Sequence, residues 1–142
     1  MNANNDFSPA PNALLVEKNH IREATFDGIR FDNTSNSRVL GNKSQRNGRD
    51  GIRLRNNSNM NLVQDNLSRD NGRDGIGVDG LTSTPPFAQS NMNTIERNTA
   101  LGNFEHDCHD DTVGLGTAGT ANTWIRNVAK TENKPGLCKK KV

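Results

Sequence analysis

The chain has 142 residues and a formal net charge of +2, with basic and acidic residues intermixed apart from a lysine run at 139–141. Hydrophobic residues make up 30% and aromatic residues 4%, which is thin for an ordinary globular core. The balanced charge argues against nucleic acid as a partner. No apolar stretch approaches the roughly 18 residues of a transmembrane helix, which argues against a membrane as well.

A short phrase returns down the chain at a fixed period. Asp-Gly-Ile occurs at 27–29, 50–52 and 74–76, in steps of 23 and 24 residues. A period of this size indicates a stacked repeat architecture. In such a stack a few apolar residues at equivalent positions can form one continuous internal column, so low hydrophobicity is compatible with order.

The repeat divides the chain into three regions. Residues 1–12 are polar and hold two prolines, and they are predicted to form a flexible arm that does not resemble a secretion signal. The repeat domain is predicted at 13–138, with five coils and a partial sixth near its end. Residues 139–142 are predicted to form a basic, solvated tail.

Each coil has the pattern of short strands. Apolar residues at 29 and 31, 52 and 54, and 76 and 78 alternate with Arg or Gly, which is typical of a strand with one buried face. Gly, Asn, Asp and Ser recur every few residues and predict a turn after each strand. No window shows a convincing helical stripe, so the chain is predicted to be all-β.

The phrase that ends in Asn-Gly-x-Asp-Gly-Ile, at 42–52 and again at 66–76, resembles that of the right-handed parallel β-helix family. This family has the fold of pectate lyases and of periplasmic copper-maturation and carbohydrate-binding proteins. The resemblance covers about residues 13–138. It implies a right-handed parallel β-helix, a solenoid of about five to six coils with a period of about 23–24 residues.

Asparagines recur at equivalent points of successive coils. Stacked side-chain amides can hydrogen-bond to the equivalent residue above and below. The sequence therefore predicts an asparagine ladder formed by Asn19, Asn42, Asn66, Asn98 and Asn127. Asn47, Asn71 and Asn103 are expected to play the same structural part, and Trp124 is expected in the core or at an end cap.

Cys108 and Cys138 are separated by about one coil and a short insertion, which places them on neighbouring coils. A disulfide between them is predicted, with two unrelated thiols as the alternative. A disulfide favours an oxidising compartment, so the protein is expected to be secreted or periplasmic. A cytoplasmic location is the alternative because the first residues do not resemble a signal peptide.

The fourth coil is longer than its neighbours, and the extra length falls at 81–89 with two prolines. Insertions in solenoids form loops on one face, often the binding face. This loop is predicted to stand beside the Asp-Gly-Ile strands. When the fifth coil is aligned with the fourth from Asn103 onward, Cys108 takes the inward position that Ile76 has in the fourth coil. His109 and Asp111 are therefore predicted to point outward.

The outward residues of these strands form a candidate ligand-binding strip. Arginines can hold the carboxylates or sulfates of an acidic polysaccharide by paired hydrogen bonds. The predicted ligand-binding residues are Arg30, Asp32, Arg53, Arg55, Asp79, His109 and Asp111. In the enzymes that the chain resembles, the substrate groove lies along such an outward sheet.

Two kinds of chemistry are predicted at the end of this strip. Acid or base catalysis on a polysaccharide would use His109, Asp110 and Asp111, with Arg53 assisting. A metal site would use Asp107, His109 and Asp111, where oxygen ligands favour Ca²⁺ and histidine favours Zn²⁺. The Gly-His-Gly motif of galacturonases and the Asp-Pro-His motif of alginate epimerases are absent, so whether the chain is an enzyme stays open.

Three functions are compatible with these residues. The preferred one is binding of an acidic polysaccharide by the outward face of the Asp-Gly-Ile strands. The alternatives are an enzyme of the polysaccharide lyase or hydrolase type, and a structural or assembly module with no small ligand. Because a solenoid must cover its ends, self-association through the N-terminal end near residues 14–16 is also expected.

Overall fold

The structure, a computed structural model, describes residues 13–81 and 88–140. The arm predicted at 1–12, most of the loop predicted at 81–89, and residues 141–142 of the predicted tail lie outside these ranges. Nearly all regular structure in the described part is parallel β-strand, with one short 3₁₀ turn at Thr117–Gly119. The all-β prediction is confirmed. None of the helices in residues 13–81 and 88–140 has the length and apolarity that crossing a membrane demands.

Three parallel sheets make up the solenoid, and the first carries the repeated phrase. We call it the Asp-Gly-Ile sheet; its strands, in spatial order, are Cys108–Asp110, Ile76–Val78, Ile52–Arg55 and Ile29–Asp32. In its register Ile29 pairs with Ile52, Ile52 with Ile76 and Ile76 with Cys108. The predicted placement of Cys108 in the row of these isoleucines is therefore confirmed.

The chain passes through two further sheets in each coil. The second sheet contains Thr123–Ile125, Thr94–Glu96, Leu62–Gln64, Arg38–Leu40 and Leu15–Glu17. The third contains Lys139–Lys140, Val128–Ala129, Thr99–Leu101, Leu67–Arg69, Lys43–Gln45 and His20–Arg22. Lys139 and Lys140, which belong to the predicted basic tail, form the last described strand because their backbones pair with Val128–Ala129, and both residues are exposed.

The core is a narrow column of inward side chains. The Asp-Gly-Ile and second sheets supply the large members, and these are buried: Ile29, Phe31, Val39, Ile52, Leu54, Val63, Ile76, Val78, Ile95, Cys108 and Trp124. The third sheet supplies small residues such as Ser44, Ser68 and Ala100. Because strands alternate their side chains between two faces, a composition with few apolar residues still fills the interior.

The small residues of the third sheet explain why the repeated Asp-Gly-Ile phrase contains glycine. Ser44 and Ser68 donate hydrogen bonds to the carbonyls of Gly51 and Gly75, at 2.7 and 2.6 Å. A Cβ built on Gly51 would lie 1.8 Å from Ser68 Oγ, which no packing arrangement tolerates. The third sheet thus approaches the backbone before the Asp-Gly-Ile strands so closely that only glycine fits.

The predicted asparagine ladder is confirmed. Each side-chain amide from Asn19 to Asn98 donates from Nδ2 to Oδ1 of the next coil's asparagine, at 2.9–3.1 Å, ending at Asn127. The coils are 23, 24, 32 and 29 residues long along this ladder, so the longer fourth coil leaves it unbroken. The second ladder runs from Asn47 through Asn71 and Asn103.

A third asparagine ladder was not predicted from the sequence. Asn61 donates to Asn93, and Asn93 donates to Asn122, both at 3.0 Å. The predicted disulfide between Cys108 and Cys138 is also present. It ties the strand Cys108–Asp110 to the end of the chain, so the C-terminal end of the solenoid is held covalently as well as by its ladders.

Candidate functional site

The outward face of the Asp-Gly-Ile sheet presents two parallel rows of side chains. The first row contains Arg30, Arg53, Gly77 and His109, which pair in register on successive strands. The second row lies two residues further along each strand and contains Asp32, Arg55, Asp79 and Asp111. The structure thus brings together on one face the seven residues predicted to bind ligand, and we call them the outward strip.

Arg53 lies at the floor of the outward strip and is only 9% exposed. Its guanidinium donates two hydrogen bonds to Asp79, from Nη2 at 2.8 Å and from Nε at 3.2 Å. Burial alone would lower the pKa of Arg53, but Asp79 and Asp50 outweigh burial and raise it. Arg53 and Asp79 therefore form a charged structural pair, in which the Nε and Nη2 donors of Arg53 are already used.

Gly77 lies in the first row between Arg53 and His109, next to two buried carboxylates. A Cβ on Gly77 would approach Asp50 Oδ2 to 3.2 Å and Asp74 Oδ2 to 3.6 Å. Gly77 is itself buried, and the carboxylates of Asp50 and Asp74 lie where a side chain at this position would begin.

Arg30 and Arg55 are the available cations of the outward strip, with side chains 47% and 30% exposed. Arg30 Nη1 lies 4.0 Å from Asp27, and Arg55 Nε lies 3.6 Å from Asp32, which are charge contacts longer than hydrogen bonds. Phe26, 62% exposed, lines a shallow depression with Asp27 and Arg30. Both guanidiniums therefore keep donors that a ligand can use.

A row of buried carboxylates runs beside the strip, formed by the aspartates of the repeated phrase. Asp27 accepts the backbone N–H of Asp50 at 3.0 Å, and Asp50 accepts that of Asp74 at 3.2 Å. Arg73 Nη2 donates to Asp50 Oδ2 at 3.0 Å, and Arg73 Nε forms an ion pair with Asp50 Oδ1 at 2.9 Å. Burial nevertheless raises the pKa of Asp50, against the lowering effects of Arg73, the Asp74 N–H and Arg53.

The carboxylate row ends in a cluster that contains two histidines. His106 follows Asp74 in the row, and its backbone N–H donates to Asp74 Oδ1 at 3.1 Å. His106 Nδ1 lies 3.6 Å from Asp74 Oδ1, His109 Nδ1 lies 3.4 Å from Asp74 Oδ2, and the two Nδ1 atoms are 3.2 Å apart. On its other side, His109 Nε2 lies 2.9 Å from Asp111 Oδ2. We call Asp74, His106 and His109 the histidine cluster.

The electrostatics of the cluster favour a charged His109. Burial opposes its protonation, but hydrogen bonds and charges from Asp74 and Asp111 prevail and raise the pKa of His109 to about 9. Burial likewise acts to raise the pKa of Asp74, yet its contacts with His109, Arg73 and the His106 N–H lower that pKa overall. With a proton on His109, its partly exposed imidazole forms an ion pair with the buried Asp74 carboxylate.

Asp110, predicted as a catalytic acid or base, does not lie on this face. It is completely buried and points inward, where Oδ2 accepts hydrogen bonds from Trp124 Nε1 at 2.8 Å and from Asn122 Nδ2 at 3.0 Å. Its Oδ1 accepts two more from Thr112. The prediction for Asp110 is wrong because strand alternation turns this side chain inward, where it terminates the third asparagine ladder.

Asp107, predicted as a metal ligand, is also turned inward. Its Oδ1 accepts the backbone and side-chain N–H groups of Asn103, at 3.0 and 2.8 Å. Its Oδ2 accepts the backbone N–H groups of Lys130 and Thr131, at 3.0 and 3.2 Å. The predicted metal set of Asp107, His109 and Asp111 is therefore wrong as a set: Asp107 terminates the second ladder, and Asp74 with His106 stands beside His109 instead.

The ends of the predicted insertion lie next to Asp111. Leu81, Gln89 and Val113 line a groove with Asp111. The side-chain amide of Gln89 exchanges two hydrogen bonds of 2.9 Å with the backbone of Val113, which fixes one side of the groove. The described ends of the loop therefore border the strip, while residues 82–87 lie outside the described part.

Sequence reasoning missed Asp74 and His106, although a signal for both was present. The aspartate of the repeated phrase recurs at 27, 50 and 74. The alignment that places Cys108 over Ile76 also places His106 over Asp74. An aspartate row that ends in histidine could have been read from this alignment.

The three parallel sheets with their internal ladders define a protein of the parallel β-helix class. The chain belongs to the family described as right handed beta helix region, whose model matches residues 4–134. The fold and the resemblance predicted from the sequence are thereby confirmed.

A solved structure shares this fold. The crystal structure of the periplasmic alginate epimerase AlgG is similar to 80% of this chain, with a TM-score of 0.60 and 22% sequence identity. The matched part is 23% of the AlgG chain, and at this identity the likeness shows the fold alone. No curated protein sequence matches the chain.

Proposed function

We propose that the chain binds an acidic polysaccharide along the outward strip. The observation that carries this proposal is the pair of guanidiniums on adjacent strands of one face, exposed at Arg30 and partly exposed at Arg55. A guanidinium has five N–H donors in a fixed fork that fits carboxylates and sulfates. Neither residue donates a hydrogen bond to its partner aspartate. Since Arg55 Nε is buried, the terminal Nη groups are the donors through which Arg55 serves a ligand.

The spacing of the strip suits an extended ligand. Neighbouring strands of a sheet lie about 4.8 Å apart, so Arg30 and His109, three strands apart, are separated by about 14 Å along the solenoid. Most outward carboxylates have a cationic partner: Asp32 lies by Arg55, Asp79 by Arg53 and Asp111 by His109. A polymer with repeated negative groups can therefore contact several cations without meeting a long row of unpaired carboxylates.

Phe26 extends the proposed site at its N-terminal end. Its ring is largely exposed beside Arg30, so an apolar face lies next to a cation. Sugar rings also combine an apolar face with polar edges, and covering the phenyl ring removes apolar surface from water. A uronate residue bound here would stack on Phe26 while its carboxylate contacts Arg30.

An oxidising compartment, outside the cell or in the periplasm, fits this function. The Cys108–Cys138 disulfide persists in such compartments and is rare in the cytosol. AlgG, which shares the fold, is periplasmic and an alginate epimerase, and alginate is an acidic polysaccharide. The disulfide and the fold shared with AlgG support the proposal independently of the geometry of the strip.

Catalysis on the bound polysaccharide is the second candidate function, and His109 is the observation that favours it. Its imidazole is partly exposed and bridges Asp74 and Asp111, an arrangement that can move a proton. The loss of Asp110 from the site and the pairing of Arg53 with Asp79 weigh against it. Binding without turnover is therefore preferred.

The test is a binding series with the purified chain in EDTA, using a polyuronate, a sulfated polysaccharide and a neutral polysaccharide. Arg30→Gln together with Arg55→Gln should weaken binding to the acidic polymers about tenfold or more, as expected for loss of charge-assisted contacts. Arg69→Gln is the matched control, because Arg69 is similarly exposed on the third sheet.

Each outcome decides between the candidate functions. Unchanged binding in the double variant, or equal loss in the Arg69 control, would overturn the strip as the binding surface. Shortened or unsaturated products after long incubation would establish the enzyme instead of the binder. No binding to any polymer at low salt would favour the structural module.

A further inference from the structure

We propose that the histidine cluster is a binding site for a transition metal ion of the zinc type, with Asp74, His106 and His109 as ligands. The proposal is independent of polysaccharide binding. It rests on the positions of three donor atoms, on the group that orients one of them, and on an open side toward solvent. Each of these features is a separate property of the described residues.

The donor atoms have the spacing of a tetrahedral metal site. Zinc bonds to histidine nitrogen and carboxylate oxygen are about 2.0–2.1 Å long, so two ligand atoms of a tetrahedron lie about 3.3 Å apart. The two histidine Nδ1 atoms are 3.2 Å apart, Asp74 Oδ2 lies 3.4 Å from His109 Nδ1, and Asp74 Oδ1 lies 3.6 Å from His106 Nδ1. One ligand atom from each of the three residues lies within 4.8 Å of the other two. One ion placed between the three side chains would therefore reach all of them with small adjustments.

Asp111 provides the carboxylate partner that commonly orients a metal-bound histidine. A ligating histidine usually donates its other ring N–H to a carboxylate, which fixes its tautomer and orientation. His109 directs Nε2 to Asp111 Oδ2 at 2.9 Å, while Nδ1 faces the cluster. Asp74 is held as well, because its Oδ1 accepts the backbone N–H of His106 at 3.1 Å.

Charge near the cluster is compatible with a cation. Arg73 is the neighbouring positive group, with Nε 3.8 Å from Asp74 Oδ2. That guanidinium is paired with Asp50: Nη2 donates to Oδ2 at 3.0 Å, and Nε lies 2.9 Å from Oδ1 in an ion pair. The Asp74 carboxylate, 1% exposed, thus remains the charged partner available to an ion held by the two histidines.

The donor set selects the class of metal. Two imidazole nitrogens and one carboxylate suit Zn²⁺, Cu²⁺ and Ni²⁺, whereas Ca²⁺ takes six to eight oxygens. Three protein ligands also leave a fourth position open, as in catalytic and exchangeable zinc sites. The side chains of His106 and His109 are 35% and 21% exposed, so that position faces solvent. Of the two metals considered from the sequence, this donor set therefore favours zinc over calcium.

The experiment is a zinc titration of the untagged, EDTA-treated chain by calorimetry, with thermal unfolding in parallel. One ion should bind per chain and raise the unfolding temperature. His106→Ala or His109→Ala should lower the affinity at least a hundredfold, and Asp111→Asn should lower it about tenfold to a hundredfold. His20→Ala is the control, since His20 is the third histidine of the chain and lies on the third sheet.

A second readout tests the geometry directly. Cobalt(II) bound in place of zinc should give the intense visible absorption of a tetrahedral centre, and His106→Ala should abolish it. Absence of binding at about 0.1 mM zinc, or affinity that falls equally in His20→Ala, would overturn the site. Since the polysaccharide series is performed in EDTA, failure of either proposal leaves the other standing.

Discussion

Asp110 Oδ2 accepts a hydrogen bond of 2.8 Å from the indole Nε1 of Trp124, and both side chains are buried. The pair joins the Asp-Gly-Ile sheet to the second sheet at the last complete coil. A buried carboxylate is tolerated here because four donors converge on it, from Trp124, Asn122 and Thr112.

This relationship predicts a large cost for Asp110→Asn. The amide NH₂ would face donors that now point at an oxygen, so two buried groups would lose their partners. The free energy of unfolding should fall by about 2–4 kcal/mol, measured by urea denaturation. Trp124→Phe, which removes one donor and keeps an aromatic ring, should cost less. Equal costs for both variants would contradict the account.

The first asparagine ladder predicts a dependence on position. Asn98 Oδ1 accepts two N–H groups from Asn66, while its Nδ2 donates to Asn127 and to the Val63 carbonyl. Asn98→Ala should therefore lower the free energy of unfolding by about 2–5 kcal/mol. Asn19→Ala, at the exposed end of the same ladder, should cost about 1 kcal/mol or less. Similar losses at both positions would contradict the ladder as a stabilising element.

The glycines of the Asp-Gly-Ile sheet predict a graded response. A Cβ at Gly51 would lie 1.8 Å from Ser68 Oγ and 2.8 Å from the Gly75 carbonyl oxygen, whereas one at Gly77 meets nothing closer than 3.2 Å. Gly51→Ala should cost about 3 kcal/mol or more, and Gly77→Ala about 1 kcal/mol. The two midpoints of urea unfolding provide the comparison. A larger loss of stability in Gly77→Ala than in Gly51→Ala would contradict the close approach of the third sheet to Gly51.

The disulfide predicts a stability that depends on redox conditions. Cys108 and Cys138 close a loop across 30 residues, and cross-links of this span stabilise folded proteins by about 3–4 kcal/mol. Reductant should lower the unfolding temperature of the wild type by several degrees. Cys138→Ser should unfold at about the reduced temperature and should not respond to reductant. A wild type indifferent to reductant would contradict this prediction.

The repeat made much of the fold readable from sequence. Period-2 alternation correctly placed Arg30, Arg53 and His109 on one outward face, and the recurring Asn42 and Asn66 marked the first ladder. These features depend on local pattern and on the coil period, both of which are visible without coordinates.

The ends of the ladders could not be read in the same way. Asp107 and Asp110 stand in an acidic run that is typical of a surface site, yet both accept hydrogen bonds from the last asparagines of two ladders. Recognising the end of the third ladder required the position of Asn122, which follows Asn61 and Asn93. This ladder has fewer asparagines than the first, because Ser37 stands one coil before Asn61, where the pattern would call for another asparagine.

Chemical-shift mapping by NMR is the most direct test of the central claim, and a chain of 15.6 kDa is well suited to it. A polyuronate titrated into the labelled chain in EDTA should perturb amides at 29–32 and 52–55 on the Asp-Gly-Ile sheet, with the Arg30 and Arg55 side-chain resonances. A neutral polymer should leave them unchanged. Perturbations confined to the third sheet, or none at saturating polyuronate, would contradict binding along the outward strip.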